Sequence, residues 1–317
     1  MYCRYCGSPL QFENQQFCSV CGASVAQEKK RSSKVGAIAL ALLKCAGFYA
    51  DFYAVVAVAQ TVYTAVVSGL LAGGTNIVDS AGYMGLSDAF WNVFSENYSY
   101  VMVFAYVALA AVYWIIYVAR KKSFAGEVGL NKTQFAALPA AFGFGAALQV
   151  VVVFIISYIS VAVPSIAEEA VQSEKVYECM FGNASTFSMY LATAVATPII
   201  EELLFRGLIY TRMKKAMPQI AAMLLSAIWF GVAHSGGIHQ IVYAAALGII
   251  MVLLYEKYNS LWPCIFLHAG FNSTNFLYDY LDMNAPVVNW MLLALSIGFV
   301  LVFVVYFFMA KPIYEEE

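Results

Sequence analysis

Three short patterns place proton-handling groups inside otherwise apolar sequence. The first is TPIIEELLFRGLIY, Thr197 to Tyr210, which holds Glu201, Glu202 and Arg206. An ionisable side chain at mid-membrane costs about 3 kcal/mol or more, so three in one run call for a reason. On a helix Glu202 and Arg206 are four apart, share a face and can neutralise each other. Glu201 points about 100° away and is left without that partner. Pro198 suits a kink or the start of a new helical segment. The plainer alternative is a buried ion network that only holds helices together.

The second pattern is AIWFGVAHSGG, where Phe230 and His234 are four apart on one face. The third is FLHAGFNSTNF, where His268 and Asn272 are again four apart. A lone histidine near a helix end is most often structural, and an imidazole beside a carboxamide can be an interhelical clamp. Taken together, the three patterns supply more: a carboxylate, an imidazole, and an imidazole with an amide on neighbouring segments. That is a general base, a second acid or base, and a pair of donors for a developing oxyanion. A water held between Glu201 and His234 could attack a carbonyl that His268 and Asn272 polarise. The third histidine, His239, reads as an interfacial loop residue with no role.

The elements that must position these groups are membrane spans. The 317 residues are 62% hydrophobic and 11% charged, against about half and about a quarter in a soluble domain. With about twenty residues needed per span, eight apolar segments qualify, near 35–70, 97–119, 134–163, 186–210, 218–236, 239–256, 261–281 and 287–310. The fold class is an all-α polytopic membrane protein. The first segment is overlong and reads as an interfacial helix plus a span. Lys and Arg gather in alternate connections: Lys29, Lys30, Arg31 and Lys34; Arg120, Lys121 and Lys122; Arg212, Lys214 and Lys215; Lys257; Lys311. The intervening connections are acidic or neutral, with Asp79, Asp88 and Glu96, then Glu168, Glu169, Glu174 and Glu178, then Asp279 and Asp282. The positive-inside rule then puts both termini in the cytosol. No internal repeat or pair of broken helices supports a transporter.

Residues 1–23 carry Cys3, Cys6, Cys18 and Cys21 as two C-x-x-C pairs. Each pair can aim two thiolates at one metal, and four thiolates close a tetrahedral zinc site. So short a segment has almost no core, and the metal would supply most of its folding energy. Two unrelated redox pairs are the alternative. The pattern resembles the zinc-ribbon family, and thiolate ligation fits a reducing cytosol. The polar, cysteine-rich start does not read as a signal peptide. Residues 24–34 form a basic linker, 35–310 the helical domain and 311–317 a solvated acidic tail. The ribbon, with Arg4 as its one basic residue, is a poor nucleic-acid binder and a better docking point for a protein partner.

The three site patterns, complete and in order on separate spans, resemble the CPBP intramembrane proteases, which include the CAAX prenyl endopeptidases and the bacteriocin-processing or Abi proteins. The similarity covers about residues 130–285. It implies an eight-helix fold with a conical cavity open to the cytosol, and a peptide bond cut near that face. It assigns water activation to Glu201 and His234, oxyanion stabilisation to His268 and Asn272, and a shaping role to Glu202, Arg206 and Phe230. The family has been called metalloprotease, and Glu201, His234 and His268 could also form a three-ligand zinc site with an open position. No H-E-x-x-H helix is present, and glutamate-activated water is favoured. An inactive scaffold of the same fold, with the ribbon recruiting a partner, is the alternative. Whether the substrate is prenylated is not encoded. The expected spans also set His234 and His268 at different depths, which a shared site forbids unless the segment after Lys215 is short, tilted or partly in-plane.

Overall fold

The computed structural model describes residues 8–9, 18–21, 34–73, 82–234, 236–278 and 285–309. Two compact units divide the chain, residues 1–40 and 41–317. In the first, residues 19–21 make a turn, with Cys18 buried and Cys21 exposed. Cys3, Cys6, nearly all of the linker and the acidic tail lie outside the described residues.

Among the described residues every long element is a helix. In order they are α1 (Lys34–Gly73), α2 (Gly82–Ala119), α3 (Phe124–Val128), α4 (Ala137–Ala162), α5 (Pro164–Phe181), α6 (Thr186–Ala216), α7 (Gln219–Ala233), α8 (Ile238–Tyr258), α9 (Trp262–Leu277) and α10 (Pro286–Met309). All eight expected spans are present as helices. Six of them, α1, α2, α4, α6, α8 and α10, are long and apolar enough to cross a membrane. The other two, α7 and α9, have 15 and 16 residues, or about 22–24 Å of rise against a hydrocarbon core of about 30 Å. The first segment is one continuous helix, not an interfacial helix joined to a span. Exposed Phe104, Val107, Trp114 and Ile115 on α2 and Leu295, Val302 and Phe308 on α10 give these helices the apolar outer faces that lipid requires.

Helices in lipid gain little from apolar burial against one another, so close backbone approach through small residues holds them. Gly145 of α4 faces the Leu267 carbonyl of α9, and Gly270 of α9 faces the Phe142 carbonyl of α4, each with no room for a Cβ. Gly231 of α7 abuts Ile241 and Ala245 of α8 in the same way. These contacts fix α9 and α7, which carry the histidines. Gly270→Ala is expected to force α9 off α4 and lower stability by about 1–3 kcal/mol. A melting curve in detergent equal to wild type would show that the α4–α9 contact is not tight.

The end of the unit that holds α3 is basic. Glu127 there meets Lys122 at 3.3 Å, Arg212 at 3.5 Å and Lys215 at 3.7 Å. Partial burial pushes its carboxyl up, but the hydrogen bond from Lys122 and the charges of Lys215, Lys122 and Arg212 outweigh this and hold it below the usual carboxylate range. A carboxylate with a lowered pKa stabilises the fold above its unfolded pKa, and that contribution disappears as pH falls through the lowered value. Glu127→Gln should therefore flatten the acid limb of melting temperature against pH. Superimposable limbs for the two proteins would show that the cluster contributes nothing.

Candidate active site

The two glutamates sit on one α-helical turn, Thr197–Glu202, between two π-helical stretches of α6, Leu191–Ala196 and Leu203–Tyr210. π-Helical turns recur at functional sites, and here Pro198 supplies a cause. Its ring crowds the preceding turn and it has no N–H to give. The wider register is visible at Thr197, whose N–H reaches the Ala192 carbonyl five residues back. In that register the Thr193 carbonyl would await the N–H that Pro198 lacks. Asn272 of α9 fills the place, donating from Nδ2 at 2.8 Å. Asn272 thus ties α9 to α6 with one N–H and keeps a second to give.

The turn sends the glutamates apart. Glu202 and Arg206 are fully buried and joined at 2.7 Å. The Arg206 guanidinium lies 4.2 Å over the Phe230 ring and reaches the Gly248 carbonyl at 3.4 Å. Glu202 Oε1 also meets His268 Nδ1 at 3.0 Å. Neither member of the ion pair lines the cavity; both stand behind it. Glu201, with His234, His268, Asn272 and Phe230, lines a cavity of about 430 Å³.

His234 ends α7, with backbone angles outside the helical range. Its Nδ1 donates to the Phe230 carbonyl at 2.8 Å, since a carbonyl only accepts. This bond folds the ring back along α7 onto Phe230, with centroids 4.5 Å apart. His268 meets the same Phe230 ring edge to face at 5.8 Å. The depth difficulty ends there. The short α7 stops at His234, whose imidazole turns back one helical turn, and Phe230 holds both histidine rings.

The two Nε2 atoms then face one oxygen. Glu201 Oε2 is 3.6 Å from His234 Nε2 and 3.9 Å from His268 Nε2, and it is buried without a hydrogen-bond partner. With Nδ1 of His234 donating, Nε2 is the ring's one acceptor whenever the ring is uncharged. At this separation one water seated to the side could donate to both atoms, each at about 2.8 Å. Tetrahedral zinc with bonds of about 2.0–2.1 Å would place its ligands about 3.3 Å apart, closer than these groups stand. Among the described residues, no group of three or more His, Cys, Asp and Glu side chains is set to hold a metal ion.

His239 departs from its reading as a loop residue. It lies in the first turn of α8, mostly buried, with Nδ1 3.2 Å from Glu169 Oε2. Glu169 also accepts the Ile238 N–H at 2.9 Å, tying α5 to the start of α8. Sequence reasoning also missed Gln149 and Tyr106, which line the cavity from α4 and α2. Gln149 is a buried amide in an apolar span, and that is the signal that marks it.

The cavity adjoins a vestibule of about 880 Å³ that shares Tyr177, Met180, Gln240, Tyr243, Asn275 and Phe276 with it. The vestibule lies at the end of α4, α7 and α9 and the start of α6 and α8. The basic connections lie at the opposite end of these helices. A cytosolic mouth, which the resemblance implies, and cytosolic basic connections, which the charge pattern implies, therefore name opposite ends of the helical unit.

Fold and site together define a polytopic helical membrane protein with a carboxylate and two imidazoles converging on one intramembrane cavity. Residues 183–274, which include Glu201, Glu202, Arg206, Phe230, His234, His268 and Asn272, match the family model for type II CAAX prenyl endopeptidase Rce1-like. The Putative membrane peptidase YdiL of Bacillus subtilis (strain 168) is 29% identical over 85 residues, 27% of this chain and 34% of that protein. The chain thus spans about a third of the length of the curated relative it matches. No solved structure matches it. Over this segment the chain is similar to the type II CAAX prenyl endopeptidases.

Proposed function

We propose that the protein is an intramembrane endopeptidase that hydrolyses a peptide bond with water activated by Glu201 and oriented by His234. The observation that carries this reading is the buried, unpartnered Glu201 Oε2 facing two imidazole nitrogens. In the step, Glu201 takes one proton from the water, and the water oxygen bonds to the carbonyl carbon. The carbonyl oxygen becomes an oxyanion, held by the second N–H of Asn272 and by His268, provided its Nε2 carries a proton. Glu201 then returns its proton to the peptide nitrogen, the oxyanion collapses to a carbonyl and the C–N bond breaks, leaving a carboxylic acid and an amine, and the acid's proton passes to the amine or to solvent. Glu202 orients His268 through Nδ1, and Arg206 and Phe230 hold Glu202 and both rings.

The chain is multi-pass in the lipid bilayer, with both termini cytosolic by the distribution of Lys and Arg. Cys3, Cys6, Cys18 and Cys21 are a donor set that suits one structural zinc ion. The resulting ribbon would recruit a protein partner, with no nucleic acid expected. The experiment is incubation of the purified full-length protein in detergent with a mixed peptide library that includes prenylated carboxyl-terminal tails, read by mass spectrometry. Defined cleavage products are expected. Their absence across the library would favour the inactive scaffold.

A further inference from the structure

Three long apolar helices stop at the same place. The spans Phe90–Ala119, Thr186–Ala216 and Ile238–Tyr258 finish at the basic end of the unit, and residues at or just beyond their ends border a hollow of about 590 Å³. Lys122 and Ser123 line it from the connection after α2, Lys214 and Lys215 from the last turn of α6, and Asn259 from the end of α8. Orientation in the membrane asks only that cations lie at this end. It does not ask that three lysines from two elements line one hollow.

The carboxylates packed against these lysines do not use up their donors. Glu127 of α3 lies 3.3 Å from Lys122 Nζ and 3.7 Å from Lys215 Nζ. Glu256 of α8 lies 2.6 Å from Lys214 Nζ and also accepts from Tyr210 and Gln219. An ammonium carries three N–H donors, so Lys122 and Lys214 each keep at least one. The Lys215 contact is longer than a hydrogen bond, and 68% of that side chain is exposed. Burial alone would raise the Glu127 carboxyl, yet the cations around it hold it below the usual range. The field in the hollow is therefore positive, with Lys122, Lys214 and Lys215 against Glu127 on its wall.

A phosphate group answers this set. Its ionised oxygens only accept, and its charge opposes that of the wall. The phosphate layer of a bilayer begins where the apolar spans stop, and basic pockets between helix ends suit anionic headgroups. A hollow of this size has room for a headgroup and not only for an ion.

We propose that this hollow binds the phosphate of an anionic phospholipid through Lys122, Lys214 and Lys215, and so ties the ends of α2, α6 and α8 together. The proposal stands apart from the hydrolase reading.

The test titrates the full-length protein, in a neutral detergent, with short-chain phosphatidylglycerol, with phosphatidylcholine and with inorganic phosphate. Bound lipid is counted by native mass spectrometry, and melting temperature is followed in parallel. Phosphatidylglycerol should be retained and should raise the melting temperature, while phosphatidylcholine at the same concentration does neither. Lys214→Gln with Lys215→Gln should weaken retention about thirtyfold. Lys215→Gln alone breaks no hydrogen bond among the described residues, so the fold is kept, and it should weaken retention about fivefold. Arg120→Gln with Lys121→Gln removes as much charge from the same end without touching the lining, and should change retention far less. Equal losses in the two double variants, or equal retention of the two lipids, overturn the site, because both are marks of diffuse surface attraction. A melting shift with inorganic phosphate that matches the shift with phosphatidylglycerol overturns the lipid as the source and leaves a site for free phosphate.

Discussion

Arg206→Met is expected to destabilise the protein by about 3–5 kcal/mol, because it strands a buried carboxylate. Glu202 and Arg206 are both fully buried, so no water can take the place of the lost guanidinium. Glu202 would keep only His268 as a partner. The same guanidinium covers the Phe230 ring, against which His234 and His268 both rest. Lysine should rescue poorly, since a compact ammonium cannot stack on the ring and reach both Glu202 and the Gly248 carbonyl. The double substitution Glu202→Gln, Arg206→Met removes both charges and should recover much of the loss, which a double-mutant cycle measures. Melting of Arg206→Met at the wild-type temperature would show that the pair is not a structural support.

Glu201→Gln should behave in the opposite way. Removing a positioned general base lowers turnover by about 10²–10⁴-fold. Its Oε2 has no hydrogen-bond partner in the fold, so little stability is lost with it. The neighbours in sequence thus divide the work. Glu201 lines the cavity while Glu202 pairs with Arg206, and the proposed mechanism gives chemistry to the first and structure to the second.

The pairing and the separation were legible in TPIIEELLFRGLIY, because i,i+4 spacing pairs Glu202 with Arg206 and a 100° turn separates Glu201. The order of the long apolar helices was legible too, since lipid demands long apolar runs, but the polar connections hid α3 and α5. Three things were not. The link between Glu202 and His268 joins residues 66 positions apart, and no local spacing encodes it. The π register of α6 depends on Asn272 supplying what Pro198 lacks, a match between two helices. The meeting of His234 with His268 depends on a side chain folding back at the end of a short α7, where a uniform rise per residue gives the wrong depth. His239 failed for a similar reason: its partner Glu169 comes from α5, far away in sequence.

The most direct measurement is turnover and melting temperature on the same detergent-purified samples of wild type, Glu201→Gln and Glu202→Gln, with a peptide that the wild type cleaves. Loss of turnover with retained melting in Glu201→Gln, beside lowered melting in Glu202→Gln, is the predicted result. Turnover that survives Glu201→Gln would contradict the assignment of that carboxylate as the base that activates water.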